Sequence, residues 1–418
     1  VSLPSLTAFG KVPFSGCTSL TTVNLPAAPP SIDVAPESSN PGWYNGIFSN
    51  TSSTDDTDAI SVIVPAGAGL AYSSTWNVSA HSSANSRPYI YGSNHKAVIF
   101  PDMADDPANN GSGLAGLEAL ANAPAGGNTA DNPIPLMLSG NLTTNGWKAV
   151  CYTVDAAGKY VTLDLSACTM TGDKFAPGTD AGVEKITALA LPDTAKSIKT
   201  AEMAGASPFN AFNALTSISG AGVETVDNQA FNYCMSLTSV NLPAATTIGY
   251  SAFYECRNLA EVSLPVAATI GDWAFYGCTS LTEVSLPVAT DIGTRAFYSC
   301  KNLTEVSLPV AAAIGGGAFY GCTSLTEVSL PVATAIGGEA FRYCTNLTTV
   351  SLPATPPSIG DYIFRYTSSM DTVTILVPAG AVSAYTSAWG VSANTTAGGN
   401  TNKYGAGHKA VLITDAAQ

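Results

Sequence analysis

Leu281-Thr282-Glu283-Val284-Ser285-Leu286-Pro287 is followed by Ile292-Gly293, Ala296-Phe297 and Cys300, and Leu303 then begins the same pattern again. The seven-residue head recurs at 237–243, 259–265, 303–309, 325–331 and 347–353, in steps of 22 residues. Residues 215–220 start in the same phase, although Gly220 and Gly222 blur it. Alternation predicts a short strand in which Leu281, Val284 and Leu286 point inward while Thr282, Glu283 and Ser285 face out. Pro287 has no amide hydrogen and should end the ladder. Ile292-Gly293 is expected to turn the chain, with Gly supplying dihedrals that a Cβ resists. Ala296 and Phe297 then return to the core, and Cys300 closes the coil.

A period of 20–29 residues headed by Leu-x-x-Val-x-Leu signals a leucine-rich repeat. The predicted fold is a leucine-rich repeat solenoid, a β-rich α/β architecture. A parallel sheet lies on one face, short strands or 3-10 turns on the other, and both ends are capped. Stacked coils place equivalent residues over one another. Phe231, Phe253, Phe275, Phe297, Phe319 and Phe341 should form a buried column, and Cys234, Cys256, Cys278, Cys300, Cys322 and Cys344 another. A single coil cannot bury enough apolar surface to offset the cost of ordering it, so neighbours and end caps are required.

The earlier half is made of the same material. Val1-Ser2-Leu3-Pro4, Phe9-Gly10, Phe14 and Cys17 align on Val262-Ser263-Leu264-Pro265, Ile270-Gly271, Phe275 and Cys278 at a constant offset of 261. The chain is expected to start inside an array whose upstream coils lie beyond it. A second duplication has an offset of 313. It relates Val64-Pro65-Ala66-Gly67-Ala68, Tyr72, Trp76, Tyr91 and His95-Lys96-Ala97-Val98 to Val377-Pro378-Ala379-Gly380-Ala381, Tyr385, Trp389, Tyr404 and His408-Lys409-Ala410-Val411. Both copies read as C-terminal caps built from a strand, a short helix and a final strand. The first has 14 extra residues ahead of it.

The expected organisation has five parts. Residues 1–100 are the end of a first array plus its cap, 101–113 a polar linker, and 114–185 the N-terminal cap of a second array. Residues 186–370 are that array, and 371–418 are its C-terminal cap. Within 114–185, Leu114, Leu117 and Leu120 have helical spacing, 134–138 and 160–165 suit strands, and 147–154 suits a helix.

Composition narrows the function. The 418 residues carry only 11% charged side chains, with 16 basic residues and a net charge of −14. Nucleic-acid partners need clustered Lys and Arg, so none is expected. No apolar run reaches the ~18 residues of a membrane span. The three histidines are His81 and the cap duplicates His95 and His408, and no nucleophile-elbow, P-loop or zinc-protease motif occurs. The chain is therefore read as not an enzyme, with no cofactor. A dispersed carboxylate pair for glycoside hydrolysis is the one catalytic alternative.

The candidate sites each have two readings. The cysteines lack the close pairing of a metal site, so no metal is expected, and small buried residues at coil corners fit them better. Cys151 and Cys168 stand outside the ladder and could pair. Glu261, Glu283, Glu305 and Glu327 make a line of like charges on the exposed sheet, either a site for cations or basic partners or a solvated face. After the Ile-Gly step the residues vary. Tyr250, Trp273 and Arg295 are either binding residues or an ordinary loop edge. Tyr254, Tyr276, Tyr298 and Tyr320 either stack sugar rings or pack on one another. Asp55-Asp56-Thr57-Asp58 and Asp102…Asp105-Asp106 lack calcium-loop spacing and read as solvated loops.

The pattern L-x-x-V-x-L-P followed by I-G-x-x-A-F-x-x-C is intact at 259–278, 281–300, 303–322 and 325–344. It resembles the BspA-like branch of leucine-rich repeats found in bacterial surface proteins. The resemblance covers roughly 1–100 and 186–418 and includes the V-P-A-G…A-Y…W tail. It implies a right-handed solenoid, export to the extracellular side and cell-surface display through an anchor outside this sequence. It also implies adhesion to proteins or glycans of a host matrix or of other cells, most simply as a monomer. Glycan capture and a structural spacer displaying another domain are the alternatives to protein adhesion.

Overall fold

A computed structural model describes residues 5, 8–9, 22–24, 31–32, 60–63, 98–99, 120, 128–142, 144–170, 172–178, 180, 182–199, 208–367, 372–389 and 410–415. The expected linker 101–113, Leu114 and Leu117, Cys17, the first-cap residues Tyr72, Trp76, Tyr91 and His95, Tyr404 and His408, His81 and both Asp-rich stretches lie outside them. The chain divides into two compact units, Val1–Gly172 with Thr179–Thr194, and Asp173–Gly178 with Ala195–Gln418.

In the second unit each 22-residue step is one coil of a parallel β-solenoid. The Leu-x-x-Val-x-Leu head forms the first strand of the coil, as at Glu283–Ser285 and Glu305–Ser307. Leu281, Val284 and Leu286 are buried, while Thr282, Glu283 and Ser285 are exposed. A second strand of two residues follows, as at Asp291–Ile292, with Ile292 buried. These second strands stack in register into a sheet of nine, from Lys174–Phe175 to Ser358–Ile359. Ile-Gly is thus the end of a strand and the start of a turn, where the sequence suggests a turn alone.

The reason for the glycine also differs from the expected one. Gly293 and Gly315 do not adopt left-handed backbone. A Cβ on Gly315 would instead lie 2.5 Å from the Gly293 carbonyl carbon and the Thr294 nitrogen. Close approach of successive backbones, not dihedral freedom, demands glycine here.

The left-handed residues come later in the coil and occur twice per turn: Trp273 (φ 60°) with Gly277 (72°), then Arg295 (55°) with Ser299 (59°). This alternation points every second amide at the next coil. Trp273 N–H donates to Thr294 O (2.9 Å), Phe275 N–H to Ala296 O (2.7 Å) and Gly277 N–H to Tyr298 O (2.8 Å). The turn is therefore a third hydrogen-bonded wall. The core lies between the three walls, where the Phe rings from Phe231 to Phe341 are all fully buried.

The second unit ends on Thr372–Val377, the helix Val382–Trp389 and Ala410–Asp415. The two strands pair in parallel, Val373 opposite Val411. Tyr385 Oη donates to Pro353 O (2.7 Å) and Trp389 Nε1 to Pro357 O (3.1 Å), which fastens the helix over the last coil. In the first unit Ile60 stands opposite Val98 in the same parallel sense. Both members of that pair lie 313 residues before Val373 and Val411.

Also in the first unit, Ile134–Met137, Val161–Asp164 and Ile186–Ala190 form a parallel ladder in that order. The helix Thr144–Ala157 buries Trp147, Val150, Cys151 and Val154, the i, i+3, i+4, i+7 stripe that an amphipathic helix turns to a core.

Candidate functional site

The first sheet carries the Glu column. Glu261, Glu283, Glu305 and Glu327 are all exposed, and Glu283 stands opposite Glu305 in register. Paired parallel strands are about 4.8 Å apart, which sets the backbone spacing between Glu283 and Glu305. Like charges placed directly opposite destabilise a strand pair. The ladder is interrupted between Glu261–Ser263 and Glu283–Ser285, which belong to separate sheets. Between the Glu305 and Glu327 strands only Ser307 and Ser329 remain in register. Both weak points fall inside the column.

Trp273 and Arg295 sit on the turn wall, on a different side of the coil from the Glu column. Both have left-handed backbone, so these two of the three variable residues occupy the strained position of the turn, which Ser251 rather than Tyr250 takes in its own coil. The Arg295 guanidinium lies 4.7 Å from the Trp273 ring and 5.9 Å from that of Tyr298. Trp273 also stacks on Tyr276 at 5.1 Å. Tyr250 is 45% exposed, and its amide donates to Asn228 Oδ1 (2.8 Å) in the preceding coil. The structure thus joins Trp273 to Arg295 but does not join either to the Glu column.

Tyr254, Tyr276, Tyr298 and Tyr320 stack face to face at 4.7, 4.7 and 4.3 Å. Tyr233 and Tyr343 close the two ends edge-on. The ring faces a sugar would need are turned to one another. Partial burial pushes the Tyr298 phenol up to about 12, with help from Tyr320 beside it.

The Phe rings run parallel at 5.1 Å for Phe231–Phe253 and Phe253–Phe275 and at 5.2 Å for Phe275–Phe297. The steps to Phe319 and Phe341 are 5.4 and 5.6 Å. Each ladder cysteine donates its thiol to the carbonyl of the Phe one coil back. Cys256 reaches Phe231 O at 3.0 Å, Cys278 reaches Phe253 O at 3.2 Å, and Cys300 reaches Phe275 O at 3.1 Å. Eight cysteines lie in the described residues, and all are free and buried, Cys151 and Cys168 among them. Cys168 donates to Leu138 O (3.3 Å), and burial raises its thiol to about 12. Burial raises Cys278 and Cys322 as well, which disfavours the thiolate that nucleophilic attack or metal ligation requires. Among the described residues no group of three or more His, Cys, Asp or Glu is placed to hold a metal ion. No described helix is long and apolar enough to cross a membrane.

One surface feature escaped the sequence reading. Val266, Val288, Val310 and Val332 each follow the coil's proline and are 40–45% exposed. Their signal was available, because they are apolar residues outside the inward phase of the Leu-x-x-Val-x-Leu head.

A family model described as a BspA type leucine rich repeat region matches in six copies over residues 204–312 and 290–386. A leucine rich repeat protein of T. pallidum is 29% identical over 38% of this chain and 73% of its own, with a TM-score of 0.32. A leucine-rich repeat protein from Bacteroides ovatus is 19% identical over 60% and 69%, with a TM-score of 0.39. A leucine rich cell surface protein from Faecalibacterium prausnitzii is 16% identical over 54% and 84%, at 0.29. No curated protein matches the chain.

Proposed function

Residues 204–386 are a BspA-type leucine-rich repeat region, and from that premise we propose that the protein is a non-enzymatic, exported binding protein of a cell surface, one that adheres to macromolecules of a host matrix or of other cells. The observation that carries this reading is the monotony of the exposed first-strand positions, where Glu and Ser repeat through four coils from Glu261 to Ser329. A pocket for a small molecule needs different groups converging on one point. A ribbon of equal groups suits an extended partner.

Protein is favoured over glycan as that partner. The stacked faces of Tyr254 to Tyr320 offer no free aromatic platform, and Trp273 is already engaged by Tyr276 and Arg295. The five-part organisation of the chain, from the first-array end at 1–100 to the second cap at 371–418, belongs to the same proposal. The test is binding of the full chain to immobilised extracellular-matrix proteins beside a glycan array. Saturable binding to one or more proteins with a silent glycan array is the expected result. Hits confined to glycans would reverse the preference, and no binding to either would leave only a spacer.

A further inference from the structure

The exposed surface of the array changes in two columns at once. The four coils with Glu on the first strand are the four with an exposed Val after the proline: Glu261 with Val266, Glu283 with Val288, Glu305 with Val310, Glu327 with Val332. The coil before has Ser239 and Ala244, and the coil after has Thr349 and Ala354. Fold alone does not require this. Neither position is in the core, and the flanking coils keep the same strand register without either residue.

We propose that these four coils form one bounded docking strip for an extended, basic segment of a partner protein, with alternate residues cationic and apolar. This rests on the surface-binding reading above and adds the partner's chemistry. Within each coil Glu283, Ser285, Pro287 and Val288 are successive exposed positions. The strip therefore has an acidic border and an apolar border, both running along the stacking direction. Four stacked coils at ~4.8 Å per step carry the Glu positions over ~14 Å of backbone. Same-side residues of an extended chain are ~6.8 Å apart, so three cations spaced two residues apart cover that length. Their opposite-side neighbours then face the Val border. The charge argues against a second copy of this chain as the occupant. The chain carries a net −14, and the basic residues on or beside these coils make no continuous column: Arg257 and Lys301 share one repeat position two coils apart with Thr279 between them, and Arg295 and Arg342 stand at two others.

The experiment uses the full chain and three capped peptides of alternating Lys and Leu, Lys and Ser, or Glu and Leu, titrated by fluorescence anisotropy at low and high salt. The Lys–Leu peptide should bind at least tenfold more tightly than either other peptide. Replacing all four column residues (E261Q, E283Q, E305Q, E327Q) should weaken it at least tenfold and flatten its salt dependence. Replacing the four valines by threonine, which keeps the β-branch, should remove the preference for Leu over Ser and leave the salt dependence intact. Thermal unfolding of each variant confirms that it is folded. Equal binding of Lys–Leu and Lys–Ser, or native-like affinity of the four-Gln protein, would overturn the strip. If the chain ignores all three peptides yet still binds matrix proteins, this inference fails and the surface-binding reading stands. If it binds neither, both fail.

Discussion

The two strand walls of the second unit share one chain and one period, yet they hold together differently. The second-strand sheet runs unbroken through nine strands, although each contributes only two residues. The first-strand sheet has three residues per strand through the middle of the array and is interrupted inside the Glu column. Strand length does not explain this, because the longer strands make the weaker ladder. The stacked groups differ between the two. Along the second sheet the stack is buried Ile248, Ile270, Ile292, Ile314 and Ile336, followed by glycines packed backbone against backbone. Along the first it is Val on one side, buried at Val284, Val306 and Val328 but only half-buried at Val262 beside the interruption, and repeating carboxylates on the other.

Changes that strike the second sheet should therefore cost most. Ile292→Ala removes a side chain that is 2% exposed and stacked between two equals. It should destabilise by about 3 kcal/mol, read from the urea midpoint at constant slope. A loss below about 1 kcal/mol would mean that the second sheet is not the continuous element. Gly315→Ala comes next, at about 2 kcal/mol. Its Cβ meets the backbone of Gly293 and Thr294, and a backbone cannot rotate away as a side chain can. Alanine tolerated there at no cost would show that the coils are further apart than the structure places them.

These two residues also mark how far the sequence could be read. Ile292 as part of a repeating unit, and the Phe and Cys columns around it, were legible because a fixed period makes every coil a copy of its neighbour. The second strand at Asp291–Ile292 was not, because two residues are too few to show alternation and a following glycine reads as a turn. The role assigned to that glycine was wrong for the same reason. A close approach between coils depends on what is stacked 22 residues away, not on local dihedral preference. The left-handed backbone at Trp273 and Arg295 was hidden too, since bulky residues give no hint of it. It is imposed by the amide wall that links each coil to the next. The Glu column was legible as a line of charges, but its consequence for the ladder was not. The pairing of Trp273 with Arg295 needed coordinates, since only stacking brings successive coils together.

The four-Gln protein sharpens the comparison in the other direction. If repulsion interrupts the first sheet, removing it should raise stability by about 1 kcal/mol. The gain should shrink as salt rises and screens the native charges. Chemical denaturation with urea, which is uncharged, at low and high salt separates this from any effect of glutamine itself. A gain that does not depend on salt would assign the interruption to something other than the carboxylates.

The smallest effect is expected on the third wall. Ser299 has φ 59°, while the same position one coil earlier and one coil later is Gly277 and Gly321. Left-handed backbone costs a non-glycine residue about 1 kcal/mol, and glycine loses part of that gain through its greater freedom in the unfolded chain. Ser299→Gly should thus stabilise by about 0.5 kcal/mol. Its amide would still reach Tyr320 O, now at 2.7 Å, because that bond depends on the dihedral and not on the side chain. The alternative outcome is equally clear. If Ser299→Gly destabilises, the left-handed turn is not being held against a preference, and the serine side chain contributes to the wall directly. Thermal unfolding at matched concentration decides the sign, and with it whether the turn wall is held by its backbone, as the second sheet is, or by its side chains.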